Sequence, residues 1–270
     1  LLTDAFLRGN RPHLVETALS RSSLGQTQPE RRRMMSYIDG FVLAVPAANK
    51  DQYIAHARQG ANLFKKLGAT RLVETWAEDV PHGKQTDFYR ATKLEEGEVP
   101  LFSWVEYPDR ATRKKAGEAM MSDPDVQAMS EMPFDASRMI YGGFEVLYDT
   151  GAQGKPGYVD GMISPVPVAN KEAYRAAARA QAPLLIAQGA LRVVDTWGDD
   201  VPAGETTDFQ RAVSTRDDET IGFSIIEWPS RQVRDAAWKI LMEDPRIAPD
   251  PKIWDASRSI TGGFAPVVDL

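Results

Sequence analysis

Charged residues recur along this chain at nearly constant separations. Asp39 and Asp160, Arg90 and Arg211, and Glu106 and Glu227 stand 121 residues apart, and Arg138 and Arg258 stand 120 apart. All lie in or beside strand-like runs. Carboxylates and guanidiniums that meet in a cavity could clamp an anionic or carbonyl-bearing molecule and use one carboxylate for proton transfer. On that reading Asp39, Glu106, Asp160 and Glu227 are candidate catalytic proton acceptors. Arg90, Arg138, Arg211 and Arg258 are the candidate ligand clamp. The same residue types could instead form a salt-bridge network that fixes sheet-to-sheet register, with bidentate pairing offsetting the cost of burial. A parity shift of one residue would turn Arg90 and Glu106 to the opposite face.

Other residues point less sharply. Trp76 and Trp197 each end a strand; either could form a ligand-stacking wall or anchor a core. Gly142-Gly143 could admit a ligand to the backbone or mark a bulge or close packing, but the G-x-G-x-x-G and Walker spacings of phosphate loops are absent. Ser103 and Ser224 have no base partner visible in sequence. The histidines are His13, His56 and His82, and the positions equivalent to the last two hold Ala177 and Ala203. A duplicated haem, metal or Ser-His-Asp site is not expected, and His82 reads as a solvated turn residue. With no cysteine in the chain, disulfides, thiolate metal sites and cysteine nucleophiles are excluded. No metal and no cofactor is expected.

Charge narrows the partners. The net charge is −6, but residues 1–35 carry six arginines and three acids, so the remainder stands at −9. So acidic a body repels phosphate backbones, and no nucleic-acid partner is expected. No apolar run reaches the length of a membrane span and no signal peptide is visible, so the expectation is a cytoplasmic protein with no membrane partner. Residues 1–35 read as a poorly ordered tail, with its arginines either solvated or acting as an electrostatic tether. An extended gene model, with translation starting at Met34 or Met35, would also explain them.

The elements that must position these residues come from a duplication. Tyr37-x-Asp39-Gly40 returns as Tyr158-x-Asp160-Gly161, and TWAEDVPHGKQTDF from Thr75 returns as TWGDDVPAGETTDF from Thr196. Phe102-Ser103-x-x-Glu106 returns as Phe223-Ser224-x-x-Glu227, and Gly142-Gly143-Phe144 as Gly262-Gly263-Phe264. The period is domain-sized, so this is a tandem duplication and not a solenoid. The expected repeats are 36–149 and 157–270, joined by a linker with the turn residues of Thr150–Pro156.

Within each repeat, alternation predicts a strand over Tyr37–Val45. Its Ile38, Gly40 and Val42 face is assigned to the helices, and its Tyr37, Asp39 and Phe41 face to the other side. Asn49 and Asn170 are N-cap candidates for a helix with Tyr53, Ala57, Ala61, Phe64 and Leu67 on one stripe, and Gly68 is its C′ residue. Strands follow at Arg71–Trp76, Asp87–Thr92 and Leu101–Tyr107, with a type I turn at Asp79–Gly83. Asp109, or Ser230 in the second repeat, caps a second helix that ends near Asp123-Pro124. The last strand is Met139–Leu147. The order β-α-β-β-β-α-β is an α+β, ferredoxin-like unit with one added strand. Helices on one face leave the other bare, so the two units should pack sheet to sheet as an intramolecular dimeric α/β barrel. The expected state is a monomer acting as a pseudo-dimer.

YVDG, P-x-x-N-K-x-x-Y, TWGDDVP-x-G-x-x-TDF-x-RA, FS-x-x-EWP and the GGF run together resemble the YbaA-like bacterial proteins, domain-of-unknown-function family 1428. The match covers nearly all of residues 36–148 and again 157–269. The resemblance implies a dimeric α/β-barrel fold and no established activity. A label linking some members to signal-recognition-particle RNA finds no support in the acidic body of this chain. The copies depart from the pattern differently. Ala77-Glu78 stands against Gly198-Asp199, Pro133-Phe134 against Ile253-Trp254, and Met139-Ile140-Tyr141 against Ser259-Ile260-Thr261. Equal activity of the two halves is therefore in question.

The functional expectation is a small molecule bound between the two sheets, in a binding protein or a cofactor-independent enzyme. The alternative is a non-catalytic interaction or regulatory module whose polar cluster is structural.

Overall fold

The computed structural model describes residues 36–120 and 132–270, with Ser122 and Pro124 between them. The expectations for the N-terminal tail and for a helix end at Asp123 lie outside the described residues. The first repeat runs β1 (Tyr37–Pro46), α1 (Lys50–Lys66), β2 (Arg71–Asp79), α2 (Phe88–Ala91), β3 (Glu98–Tyr107), α3 (Arg110–Met120) and β4 (Ile140–Gly151). The second runs β5 (Tyr158–Pro167), α4 (Lys171–Ala187), β6 (Arg192–Asp200), α5 (Phe209–Ala212), β7 (Glu219–Trp228), α6 (Arg231–Leu241) and β8 (Ile260–Asp269).

The eight strands close into one antiparallel barrel in the order β1-β3-β2-β8-β5-β7-β6-β4. Each repeat supplies four neighbouring strands. The two seams are β2 with β8 and β4 with β6. Closure leaves no free strand edge, which is what a four-stranded half could not achieve alone. The α+β barrel formed by duplication is therefore present.

One expected strand is not. Asp87–Thr92 is a capped helical turn: Asp87 Oδ1 accepts from Arg90 N at 2.8 Å, and Asp87 Oδ2 accepts from Gly83 N at 3.1 Å. Asp at the N-cap position satisfies amides that a strand would have had to pair elsewhere. Val80–Gly83 is irregular chain held by Asp87 and Arg90 and does not form a type I turn. Other local signals hold. Gly68 and Gly189 sit after α1 and α4 at φ +99° and +100°, the left-handed region that suits glycine. Asp109 accepts from Thr112 N at 2.7 Å, and Ser230 from Val233 N at 3.3 Å. Asn49 and Asn170 occupy N-cap positions without capping. Their amides donate instead to Pro133 O and Ile253 O, and so tie the loops before β4 and β8 to the helices.

The faces of β1 are reversed from the expectation. Ile38 and Val42 point into the barrel, while Tyr37, Leu43 and Val45 pack under α1 and α3. Around β1 the middle of the barrel interior is the drier environment and takes the purely apolar side chains of this strand. The outer face takes tyrosines and charges whose polar ends meet helix-borne partners. The interior is filled. Phe102 and Phe223 stack at 4.4 Å across the axis, flanked by Phe264 and Phe144 at 5.6 and 5.0 Å. Gly40 and Gly161 are small because these rings lie on them: a Cβ would come within 2.7 Å of Phe223 or Phe102.

Candidate functional site

The two ends of the barrel account for most of the duplicated polar residues. At one end the Thr-Asp-Phe turns form a plug. Phe88 and Phe209 enter the core, and Thr86 and Thr207 donate across the repeats to Ala212 O and Ala91 O, each at 2.6 Å. Arg90 and Arg211 lie on the outside of this plug, half-exposed, each donating to Gly83 O or Gly204 O.

At the other end Glu106 and Glu227 turn inward with Arg71 and Arg192. Arg71 Nη1 donates to Glu227 at 2.7 Å, and Arg192 Nη1 to Glu106 at 2.6 Å, so each arginine reaches into the other repeat. Asp269 and Asp149 hold the guanidinium Nε groups at 2.9 Å. Burial raises Glu106, but Arg192 and Arg71 outweigh it and hold the carboxyl below its usual range. All four central side chains are buried and paired with one another.

Asp39 and Asp160 face the helices. Asp39 accepts from Arg113 Nε at 2.8 Å, and Arg113 also bonds Asp200 of the other repeat. Asp160 accepts from Arg234 at 2.8 Å and from the indoles of Trp228 and Trp238, while Arg234 reaches back to Asp79 at 2.7 Å. Burial pushes Asp39 up to about 6 against the pull of Arg113. Arg138 and Arg258 lie apart from these clusters. Each makes a bidentate pair with Glu98 or Glu219 and donates a single hydrogen bond from Nε to Asp135 or Asp255. Trp76 and Trp197 are buried beside Tyr53 and Tyr174 under Lys50 and Lys171.

The expected single cluster of Asp39, Arg90, Glu106 and Arg138 between the sheets does not form. Strand parity sends Asp39 outward and Glu106 inward, and α2 carries Arg90 outside. The axis itself is packed with phenylalanine.

Open space lies instead between α1 and the outer face of the first repeat's sheet. A cavity of about 100 Å³ is walled by Phe41, Leu43, Phe64, Phe134 and three methionines, Met120, Met132 and Met139. Its polar residues are Tyr53, Glu74 and His56. Tyr53 Oη donates to Glu74 Oε2 at 2.5 Å. Burial raises the Glu74 carboxyl, and burial with the neighbouring Glu74 raises Tyr53; the Ser103 hydroxyl beside them favours both ionised forms. Among the described residues the buried Nδ1 atom of His56 has no hydrogen-bond partner, and burial lowers its imidazole, keeping it neutral. A neutral carboxyl can donate to a carbonyl, and the carboxylate can accept from a hydroxyl or take a proton. No group of acids and histidines suited to a metal occurs among the described residues.

Sequence reading missed Glu74. The signal was an acid in the apolar run LVETW, at the parity of Trp76 and therefore facing the stripe that carries Tyr53.

An eight-stranded antiparallel barrel, closed by two ferredoxin-like halves with their helices outside, is the architecture of the dimeric α/β-barrel proteins. This chain belongs to the protein family of unknown function DUF1428, whose model matches residues 36–136 and 157–256. It is similar to the uncharacterized protein YbaA of Escherichia coli K12, 56% identical over 116 residues that cover 43% of this chain and 99% of the relative. The uncharacterized YbaA of Shigella flexneri matches to the same extent. Among solved structures the fold is similar to a "putative monooxygenase" of Fusobacterium nucleatum, with TM-score 0.52 and 7% identity over 87% of this chain and 94% of that one. A second "putative monooxygenase", from Lactobacillus acidophilus NCFM, gives TM-score 0.50 and 8% identity over 87% and 95%. No helix among the described residues is long and apolar enough to cross a membrane.

Proposed function

We propose that this protein binds a small, uncharged molecule bearing a carbonyl or hydroxyl group in the pocket under α1. The chain acts in the cytoplasm as a monomer whose repeats stand in for two subunits. The observation that carries this reading is that one otherwise apolar cavity is lined both by the hydrogen-bonded pair Tyr53–Glu74 and by His56, whose Nδ1 has no partner among the described residues. Ligand pockets combine apolar walls with a few polar groups that fix orientation. A carboxyl in apolar surroundings disfavours a second negative charge, so the ligand is neutral rather than anionic. The filled barrel axis argues against a site between the sheets.

The paired clusters at Arg71, Arg113, Arg138 and their counterparts support a structural role for the duplicated charges, as an interaction or regulatory module would also need. They leave the α1 pocket unexplained.

Native mass spectrometry of the full chain, set against its denatured mass, tests the proposal. The expected result is a monomer-sized ion carrying a releasable small mass, and Glu74→Gln weakens that retention. A wild-type chain that emerges bare and takes up no member of a panel of phenols, benzaldehydes and quinones overturns it.

A further inference from the structure

Both repeats set a tyrosine, an acid and a serine on the outer sheet face under the long helix; beside the first repeat's set, His56 Nδ1 is buried with no hydrogen-bond partner among the described residues. In the second repeat Ser224 donates to Asp195 at 2.6 Å and shares a hydrogen bond with Tyr174 at 3.2 Å. Asp195 is one methylene shorter than Glu74, so it meets the serine and not the tyrosine. The polar set is satisfied from within.

The surroundings differ in step. Ala177 stands where the first repeat has His56, and Trp254 where it has Phe134. Trp254 is buried edge-on against Tyr174, with ring centroids 5.6 Å apart, and packs with Ala177 in one apolar cluster. The positions of Leu43 and Met139 carry Ser164 and Ser259, which bond each other at 2.8 Å. An indole, an alanine and a closed serine pair therefore replace the imidazole and part of the apolar wall. Leaving a buried polar atom unpaired is costly, so a ligand that supplies a partner for His56 Nδ1 gains from doing so.

We propose that the first repeat alone binds ligand, one molecule per chain, and that His56 selects it through a hydrogen bond from Nδ1 to a polar group on an aromatic ring. The proposal rests on the pocket reading given above. The walls suit a ring: Phe134 meets both Tyr53 and His56 edge to face, at 6.0 and 6.3 Å, a geometry that an aromatic ligand can extend. A molecule with oxygens at both ends of a ring would engage Glu74 and Tyr53 at one end and His56 at the other.

Methionine-methyl NMR of the full chain, titrated with 4-hydroxybenzaldehyde, separates the repeats. Met120, Met132 and Met139 line the first pocket. Met162 holds the second repeat's counterpart of Phe41. The first three signals are expected to shift saturably while Met162 stays still. His56→Ala, whose fold is assured by Ala177 at the same helix position, is expected to weaken binding roughly tenfold. The Ala177→His, Trp254→Phe double variant is expected to bring Met162 into the titration. Equal shifts in both repeats of the wild type, or unchanged affinity in His56→Ala, overturn this inference and leave the pocket reading standing. No shift at any of the four methionines removes the pocket reading, and the inference with it.

Discussion

Phe102 of the first repeat and Phe223 of the second lie 4.4 Å apart with their planes 8° from parallel, and they fill the barrel axis where the repeats meet. Each ring also lies on the other repeat's glycine, Gly161 or Gly40, so the two halves share one core. Phe223→Ala is expected to cost about 3–5 kcal/mol, because the surrounding strands cannot collapse into the space left. Gly40→Ala overpacks the same contact and is expected to cost about 1–3 kcal/mol. Urea unfolding followed by tryptophan fluorescence and by far-ultraviolet circular dichroism measures both. The two probes should give coincident transitions, since neither half has a private core along the axis.

Arg71 crosses the seam to Glu227. Arg71→Met removes the guanidinium that Glu227 and Asp269 share, leaving Glu227 the longer contact with Arg192 at 3.4 Å, and is expected to cost about 3–5 kcal/mol, whereas adding Glu227→Gln should recover part of the loss. A double-mutant cycle in urea gives the coupling. Additive single losses would mean the pair contributes nothing beyond its separate parts.

The duplication, the helices with their glycine ends and the barrel class were legible because they depend on local periodicity and on repeated residues. The direction in which β1 faces was not. Alternation separates Ile38 and Val42 from Tyr37 and Asp39, but it does not say which set meets the helices. That depends on whether the inner space is wet or filled, and Phe102, Phe223, Phe264 and Phe144 fill it. In sequence the stretch from Asp87 reads as a strand; the capping role of Asp87 shows only once Gly83 N and Arg90 N meet its carboxylate. The paired site residues were legible as pairs, but each partner came from elsewhere. Arg113, Arg192 and Arg234 meet their acids across 74, 86 and 74 residues of chain.

Asp39 gives the protein a pH signature. Its folded-state carboxyl is raised to about 6 by burial, above the ordinary value near 4. The folded state therefore holds this proton more tightly than the unfolded one. Its contribution to stability is complete below about 4, falls as pH rises through about 6, and is level beyond. In Asp39→Asn that titration is absent. The stability of wild type minus that of the variant should decline between about pH 4 and 6 and be flat from 7 to 8. A difference that rises with pH across that window would contradict the assignment.

The seams decide what one repeat can do alone. A chain of residues 36–151 keeps β1 between β3 and β4 but exposes β2, which loses β8, and β4, which loses β6. Two bare strand edges and half an aromatic core do not make a stable monomer. The contacts across the seams are pseudo-symmetric, so a second copy of the same repeat can supply them. Phe102 would stack on Phe102 of its twin, and Arg71 would meet a Glu106 where it now meets Glu227. The Escherichia coli relative, which one 116-residue match covers almost entirely, has this single-repeat length. Residues 36–151 are therefore expected to elute as a homodimer in size-exclusion chromatography with light scattering. Dilution should lower the melting temperature, because folding and association are linked. A folded monomer with a concentration-independent melting temperature would show that the repeat closes its edges by another route, and the duplicated chain would not then need its second half to complete the sheet.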